Sequence, residues 1–237
     1  MSATNRNGSE RRTQDHYVTA PWTVHRFLEA YKIPQGATVL DPCAANGELL
    51  AAIKHVRPDL TLLAFELREE CRGPLDTLVA AGVLAGALIG DFFELAKSLS
   101  DSEVDYVVTN PPYSLAQPFI DETIRIARVS ASHLLRVNFL GSGERRDWVA
   151  ATLPGLKISP NRPSFTGWGG DACEYAWFVF GDDSVAGTWE VLALTPDEVI
   201  SEWNARARAM FPEENPKLKK AARAAKAAVE DAESTAG

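Results

Sequence analysis

The stretch ATVLDPCAANGELLAAIKHV, residues 37–56, joins two different sequence patterns. Its first part is a short apolar run that ends at Asp41 and Pro42, as a buried strand would. From Gly47 onward the apolar residues recur at helical spacing. A turn of small residues that includes Ala45 connects the two parts. In α/β proteins this strand–turn–helix order lets the backbone approach a ligand closely, and the helix N-terminus favours an anionic group.

The same alternation continues along the chain and predicts a doubly wound α/β fold. The further predicted strands are LTLLAFEL (60–67), VLAGALIGD (83–91), VDYVVT (104–109), SHLLRVNFL (132–140), CEYAWFVFGD (173–182) and TWEVLAL (188–194). The predicted helices are CRGPLDTLVAAG (71–82), FFELAKSL (92–99), QPFIDETIRIARV (117–129) and GERRDWVAATL (143–153). We expect a mostly parallel, seven-stranded sheet whose last two strands form an antiparallel hairpin at one edge.

Polar residues follow four successive predicted strands, at Asp41, Glu66, Asp91 and Asn110. The carboxyl ends of parallel strands meet at one rim of the sheet, where open α/β sheets bind ligands. Glu66 is placed to accept hydrogen bonds from two ribose hydroxyls. Asp91, followed by the aromatic residues Phe92 and Phe93, suits an adenine, with the carboxylate for its amine and a ring for its flat face. Each acid could instead cap the helix that follows it. Four polar strand ends are, however, hard to attribute to capping alone.

The stretch TNPPYS, residues 109–114, raises the question of why a buried strand should end in this way. Two prolines stiffen the chain, remove two backbone donors and push the preceding residues away from helix. We therefore expect a rigid, extended loop with outward carbonyls and one aromatic ring. The alternative is a tight turn that happens to hold a tyrosine.

Composition limits the class of protein. The chain has 237 residues, of which 46% are hydrophobic, so it can bury a large core. No apolar run reaches the length of a membrane span, and the polar start has no secretory h-region. The three cysteines have no metal-ligand spacing and suit a reducing cytoplasm, in a bacterium or a phage-infected host cell. We expect no metal ion.

Basic residues are concentrated in two places, although the net charge is −8. The first group contains Arg136, Arg145, Arg146, Lys157 and Arg162, and the second contains Lys217, Lys219, Lys220, Arg223 and Lys226. Local fields matter more than the summed charge, so either group could face phosphates. A solvated helix face is an equal alternative for the second group.

Four motifs in order now indicate a family. DPCAANGE (41–48), FEL (65–67), IGDFF (89–93) and NPPY (110–113) resemble the motifs of the S-adenosylmethionine-dependent amino methyltransferases. NPPY after the fourth strand is similar to the catalytic motif of enzymes that methylate the N6 of adenine in DNA. HYVTAPW (16–22) resembles the family's N-terminal cofactor motif in the gamma-type arrangement. The likeness covers roughly residues 14–182 and implies a Rossmann-like methyltransferase sheet.

The resemblance implies S-adenosyl-L-methionine as the cofactor and assigns residues to it. These cofactor-binding residues are Tyr17, Thr19, Asp41, Pro42, Cys43, Ala45, Gly47, Glu66, Leu67, Asp91, Phe92 and Asn110. Ala45 departs from the glycine that is commoner in the first motif. The nicotinamide fingerprint G-x-G-x-x-G is absent, which argues against a dehydrogenase.

The resemblance also gives the four residues of NPPY a catalytic role. The side-chain oxygen of Asn110 and the carbonyl of Pro111 would accept hydrogen bonds from the exocyclic amine of adenine. Pro112 helps to hold these acceptors still, so that little reorganisation is needed. Tyr113 would stack on the base, and its π face favours the positive charge that develops on nitrogen. No histidine is required.

A base in a duplex cannot reach such a loop, so the partner is expected to be double-stranded DNA with a flipped-out adenine. RPSFTGWGG (162–170) resembles the family's later motif, whose aromatic residue helps to clamp the target base. Phe165 would contact the base and Trp168 is a candidate wedge; alternatively, each packs into the core. The candidate DNA contacts are Arg145, Arg146 and Arg162. We expect a monomer or weak dimer, and a partner nuclease stays open.

The predicted organisation is a disordered leader (1–14), a catalytic domain (15–195) and a charged helical tail (196–237). Gamma-type DNA enzymes usually carry a large target-recognition domain, for which this chain has little material. We therefore expect a short or relaxed sequence context. RNA adenine and the glutamine amide of proteins remain alternative substrates, and a non-catalytic binding module is a further alternative.

Overall fold

The computed structural model describes residues 18–169, 173–222 and 224. The predicted leader and Tyr17 lie outside these ranges, as does most of the tail beyond residue 222. Among the described residues, no helix combines the length and the apolar character needed to cross a membrane.

Eight strands of the described chain form one sheet. The strands are β1 (Thr38–Asp41), β2 (Thr61–Glu66), β3 (Gly86–Ile89), β4 (Val104–Thr109), β5 (Ala127–Arg136), β6 (Gly155–Ser159), β7 (Tyr175–Phe180) and β8 (Trp189–Val191). The α-helices with defined bounds are α1 (Pro21–Ala30), α2 (Glu48–Val56), α3 (Arg72–Ala80), α4 (Phe92–Ala96), α5 (Ala116–Ile126), α6 (Arg146–Thr152) and α7 (Asp197–Met210). Residues 216–222 are helical as well.

The strand order is β3-β2-β1-β4-β5-β7-β6-β8. Strands β1 to β5 are parallel to one another, and β7 runs antiparallel to both β5 and β6. The chain winds outward from β1 to β3 and then returns to β4 on the other side of β1. The switch point, where open α/β sheets bind ligands, therefore lies between β1 and β4. The predicted doubly wound, mostly parallel class is confirmed.

The two faces of the sheet bury different helices because side chains alternate along each strand. Val39 of β1 joins a core cluster that includes residues of α1, α2 and α3. Leu40, the next residue, joins a second cluster with residues of α4 and α5. In β4, Tyr106 and Val107 divide between the same two clusters. Consecutive apolar residues are therefore buried on both faces, which explains the unbroken apolar runs of the sequence.

The far edge of the sheet differs from the prediction in its pairing. The two late strands, β7 and β8, are not neighbours, because β6 lies between them. The antiparallel pair is β6 with β7, whereas β8 runs parallel to β6. Strand β6 was not predicted, since Lys157 interrupts its apolar pattern. Lys157 is buried at 5% exposure, and its Nζ lies 2.7 Å from Glu190 Oε2 on β8.

Helix α7, from the segment predicted as a tail, packs on the rest of the protein. Trp203 and Ala207 form a small apolar cluster with Val18, Ala20 and Trp22, at the beginning of α1, and with Phe211. Trp203 is 5% exposed and Ala207 is fully buried. The described part of the segment after residue 195 is therefore packed against the residues at the start of α1.

We expect Trp177→Ala to lower the free energy of unfolding by about 3–5 kcal/mol, the usual cost of emptying a large aromatic site. Trp177 is fully buried, its ring centroid lies 4.7 Å from that of Phe27, and its Nε1 donates to the carbonyl of Thr23. Urea denaturation measures the change. Trp189, 70% exposed on β8, is the matched control. Equal losses for the two alanine variants would contradict this account of the core.

Candidate active site at the carboxyl ends of the strands

The sheet brings the four polar strand ends to one rim. Asp41 and Glu66 are the last residues of β1 and β2, and Asn110 directly follows β4. Asp91 comes two residues after β3. Strand β6 runs parallel to β1–β5 through its antiparallel pairing with β7, so the loop between β6 and β7 also lies at this rim. The rim therefore carries the motifs that the sequence singled out.

Asp41 connects the two strands at the switch point. Its Oδ1 accepts hydrogen bonds from Thr109 Oγ1 at 2.7 Å and from the Cys43 N–H at 3.0 Å. The side chain is 1% exposed. Burial raises the pKa of Asp41 to about 7, against the opposing effect of the two hydrogen bonds, which favour the carboxylate. Asp41 thus fixes the end of β4, immediately before Asn110.

The first loop is a tight turn. Ala45 has φ 50° and Gly47 has φ 89°, so both lie in the left-handed region. Glycine occupies this region freely, whereas alanine pays roughly 1–2 kcal/mol. The Ala45 N–H donates to Glu66 Oε2 at 2.7 Å, which helps to hold the strained residue in place. Pro42 is buried and Cys43 is half-buried within the same loop.

Glu66 connects the first loop to the second. Its Oε1 accepts from the Arg68 backbone N–H at 3.0 Å and from Arg68 Nε at 2.8 Å. Glu66 is 4% exposed, and burial raises the pKa of its carboxyl group against the hydrogen bonds from Arg68 and Ala45. Leu67 is 52% exposed beside it. In this structure the Glu66 carboxylate holds the first and second loops together. The predicted hydrogen bonds from ribose hydroxyls would go to the same carboxylate that already accepts from Ala45 and Arg68.

Asp91 serves as the helix cap that the sequence left open as an alternative. Its Oδ1 accepts from the N–H groups of Phe93 and Glu94 at the start of α4. The ring of Phe92 is 4% exposed and stacks on Phe119, with ring centroids 4.8 Å apart. The structure corrects the expectation that this ring packs on adenine, because the ring belongs to the core. A contact from Phe92 would come from its backbone.

The NPPY segment leaves β4 without regular structure until a short 3-10 turn that begins at Tyr113. Pro111 is buried, while Asn110 and Tyr113 are half-buried. The Tyr113 hydroxyl donates to Asn110 Oδ1 at 3.2 Å. The side-chain oxygen of Asn110 therefore already accepts a hydrogen bond from one donor, the Tyr113 hydroxyl.

Arg136 and Tyr175 surround Tyr113, and the sequence analysis missed both roles. The Arg136 guanidinium carbon lies 5.1 Å from the Tyr113 ring centroid, and its Nε donates to the Tyr175 hydroxyl at 3.2 Å. The Tyr175 ring lies 6.1 Å from that of Tyr113 and 5.4 Å from that of Phe165. Phe165 and Tyr175 are buried members of the main core cluster, at 7% and 0% exposure, and Tyr113 packs against that cluster. The ring of Phe165 therefore packs into the core beside NPPY, which is the alternative that the sequence left open. The only sequence signal was that Arg136 and Tyr175 occupy the rim ends of β5 and β7.

Trp168 has a different role from the one expected. Its Nε1 donates to the carbonyl of Phe211 at 2.9 Å, and the Arg208 guanidinium carbon lies 5.5 Å from its ring centroid. These partners belong to α7 and the residue that follows it. The structure corrects the assignment of Trp168 as a wedge, because its indole is held by the C-terminal segment.

The three predicted DNA-contacting arginines are found on surface segments near the rim. Arg145 donates to the Phe139 carbonyl and lies over the Phe139 ring at 4.4 Å. Arg146 is 82% exposed and pairs with Asp147. Arg162 is 52% exposed and pairs with Glu174. The carboxylate partners of Arg146 and Arg162 lower the net positive field of these two cations, whereas the partners of Arg145 are uncharged.

Two further predictions concern the N-terminal cofactor residues, Tyr17 and Thr19, and groups of possible metal ligands. Thr19 is 5% exposed just before α1, while Tyr17 lies outside the described residues. The described residues bring together no group of three histidine, cysteine, aspartate or glutamate side chains able to hold a metal ion.

Three solved structures with a similar fold carry transferase or methyltransferase names. The chain aligns with a candidate RNA methyltransferase from Pyrococcus horikoshii at TM-score 0.55 and 17% identity, covering 71% of this chain and 85% of that one. The chain aligns with a dimethyladenosine transferase from Plasmodium falciparum at TM-score 0.52 and 14% identity, covering 71% of this chain and 64% of that one. It aligns with a candidate class I S-adenosylmethionine-dependent methyltransferase from Listeria monocytogenes at TM-score 0.51 and 15% identity, covering 77% of this chain and 69% of that one.

No family model and no curated protein matches the chain. The structural likeness shows the fold, an α/β fold that this chain shares with these three proteins.

Asp41 should make the free energy of unfolding fall as the pH rises. An unfolded aspartate titrates near pH ~4, whereas the folded pKa of Asp41 is about 7. The folded protein therefore holds the proton more tightly, and this stabilisation is lost as pH rises from about 4 to about 7. Asp41→Asn cannot ionise and should show a flatter dependence. Urea unfolding of both proteins at about pH 5 and about pH 8 measures the difference; identical slopes would contradict the prediction.

Proposed function

We propose that the protein transfers a methyl group from S-adenosylmethionine to the exocyclic N6 of adenine in DNA. The observation that carries the proposal is the position of Asn110. Asn110 directly follows β4, at the switch point of a fold shared with methyltransferases. The residue before it, Thr109, makes the buried hydrogen bond to Asp41. Tyr113 lies beside Asn110, and Tyr113 packs in turn against Tyr175, whose ring contacts Phe165. A planar amine between an oxygen acceptor and aromatic rings fits this arrangement.

The residues of the rim suit the proposed cofactor. The turn from Ala45 to Gly47 is narrow, because both residues adopt positive φ, and α2 begins directly after it. Backbone donors at this helix start would receive the carboxylate of the methionine group. Glu66 and Asp91 follow the neighbouring strands, where ribose and adenine would lie. When bound, S-adenosylmethionine supplies an electrophilic methyl group on a sulfonium that leaves without acid assistance.

Asn110 and Pro111 would activate the target nitrogen. The lone pair of an adenine amine is delocalised into the ring, so the amine is a weak nucleophile. Acceptors directed at its two hydrogens favour a tetrahedral nitrogen and stabilise the charge that develops there. The Tyr113 hydroxyl now occupies one acceptor position on Asn110. An incoming N–H group would replace this hydroxyl, so the bond marks the direction from which the amine would approach.

Tyr113 would provide the stacking surface for the base. Arg136 lies near its ring, and Tyr175 supports the same group from β7. Because this pocket is at the rim of the sheet, an adenine must leave a duplex to enter it, and stacking compensates for what the base loses. The amine nitrogen would form a bond to the methyl carbon as the carbon–sulfur bond breaks and releases S-adenosylhomocysteine. The methylated nitrogen would then lose its extra proton to water, so catalysis depends on positioning and electrostatics, without a general base.

The proposed sequence context is short. Base reading needs side chains at base edges, usually from a dedicated helix, ribbon or domain. Arg145, Arg146 and Arg162 can contact phosphates, which holds DNA without reading it. We therefore expect methylation within a context of at most a few bases and binding that weakens steeply with salt. A strict site of six or more base pairs, read by the purified chain alone, would contradict this part of the proposal.

RNA is the second candidate substrate because two solved structures with this fold bear RNA-type names, an RNA methyltransferase and a dimethyladenosine transferase. Labelled S-adenosylmethionine, with a protein substrate and with DNA duplex, single-stranded DNA and RNA of the same sequence, separates the candidates. Mass spectrometry then identifies the methylated nucleoside. We expect N6-methyladenine in DNA. Label in RNA alone would replace the proposed substrate, and label in a protein glutamine or in no substrate would overturn adenine methylation.

Asn110→Ala should lower kcat by about a hundredfold or more, the typical effect of removing one preorganised partner of a developing charge. The affinity for S-adenosylmethionine, measured by calorimetry, should stay close to that of the parent, since Asn110 acts mainly on the target amine. Ser114→Ala is the matched control, because Ser114 is an exposed polar residue of the same segment. An Asn110→Ala variant that keeps half the parental activity would sink the mechanism.

A further inference from the structure

The loop of residues 163–169 connects β6 to β7 at the rim and contributes Phe165 to the aromatic group beside Tyr113. The loop has no helix or strand of its own, and Gly167 adopts φ 76°. A segment of this kind needs contacts from elsewhere to keep one shape. The position of Phe165 therefore depends on what holds the loop.

The C-terminal segment makes hydrogen bonds to this loop on both sides of Phe165. Trp203 Nε1 donates to the carbonyl of Ser164 at 2.8 Å. Arg208 Nε donates to the carbonyl of Gly167 at 2.7 Å. The loop returns one bond, from Trp168 to the carbonyl of Phe211. Three hydrogen bonds thus join one loop to one helix and its last turn.

Gly167 shows how closely the two backbones approach. A Cβ at this position would lie 2.2 Å from the Asn204 carbonyl oxygen and 2.8 Å from the Arg208 nitrogen. Both atoms belong to the backbone of α7, which cannot give way as a flexible side chain would. Only glycine fits this contact, which also needs the positive φ.

Helix α7 is itself anchored to the core. Trp203 and Ala207 pack in the cluster that contains Val18, Ala20 and Trp22. The same tryptophan therefore contacts the core with its ring and the loop with its N–H group. Movement of α7 would change both contacts together.

We propose that α7 positions the loop of residues 163–169 for substrate binding, with Arg208 and Trp203 as the positioning residues. This inference rests on the proposed function, because the site that the loop serves is the proposed adenine pocket. Neither residue touches the reacting atoms. They act through Ser164 and Gly167, whose carbonyls they hold on either side of Phe165. Without them the loop would sample other shapes, and the base would find its aromatic partner in place less often.

Arg208→Ala and Trp203→Phe test the inference. The second variant keeps an aromatic ring in the apolar cluster and removes the N–H that bonds Ser164, together with part of the indole ring. Arg128→Ala is the matched control, because Arg128 is 65% exposed and pairs with Asp105. It lies near the amino end of β5, at the opposite ends of the strands from the rim. For each protein we would measure kcat and KM for an adenine-containing DNA oligonucleotide, the Kd for S-adenosylmethionine, and hydrogen exchange of the loop amides.

We expect kcat/KM for the oligonucleotide to fall at least about tenfold in both variants, with the cofactor Kd changed by less than about twofold. Exchange in peptides that cover residues 163–169 should speed up, while exchange in β1 and β4 stays as in the parent. Gly167→Ala should give the same pattern, since its methyl group would push the loop from α7. The Arg128→Ala control should match the parent in every measurement.

Two outcomes would overturn the inference. In one, exchange in the loop stays unchanged in both variants; in the other, kcat/KM stays within about threefold of the parent. These failures are distinct from failure of the proposed function. If the parent methylates no adenine substrate, the function is wrong, and the exchange measurements still decide whether α7 holds the loop.

Discussion

The hydrogen bond from Thr109 to the buried carboxylate of Asp41 joins the carboxyl ends of the two strands between which the winding of the sheet reverses. A bond to a charged acceptor in a buried place contributes roughly 1.5–3 kcal/mol. Here its geometric effect matters more. It fixes the last residue of β4, so that Asn110 begins the next segment at a defined point. The N–H of Cys43 binds the same oxygen, which ties the first loop to that point as well.

The fold class could be predicted because its signals are local. Apolar runs buried on both faces, helical spacing between them and polar residues at strand ends all appear within short windows of sequence. The pairing at the far edge could not be predicted, because it depends on Lys157. A lysine in the middle of a five-residue run argues against a strand, and Glu190, the partner that permits its burial, lies on β8. Nothing near Lys157 in the sequence indicates that pair.

The residues of the candidate site likewise fall into those that local sequence predicts and those that depend on distant partners. The residues at strand ends were found from the sequence, since the end of a parallel strand determines the edge on which a side chain lies. The aromatic residues were assigned less well, because an aromatic ring suits a ligand and a core equally. Phe92 stacks on Phe119, and Trp168 bonds the carbonyl of Phe211. Arg136 and Tyr175 went unassigned because their roles exist only through each other and Tyr113.

The packing of α7 also determines where this chain can be divided. Charge and composition place a boundary near residue 195, yet the apolar cluster of Trp203, Ala207 and Phe211 with Val18 and Trp22 crosses it. A fragment cut at that boundary would expose the apolar surface beside α1 to water, and exposed apolar patches promote association between molecules. It would also lose every bond that the C-terminal segment makes to residues 164–168. The smallest unit that keeps this architecture therefore extends at least through Phe211.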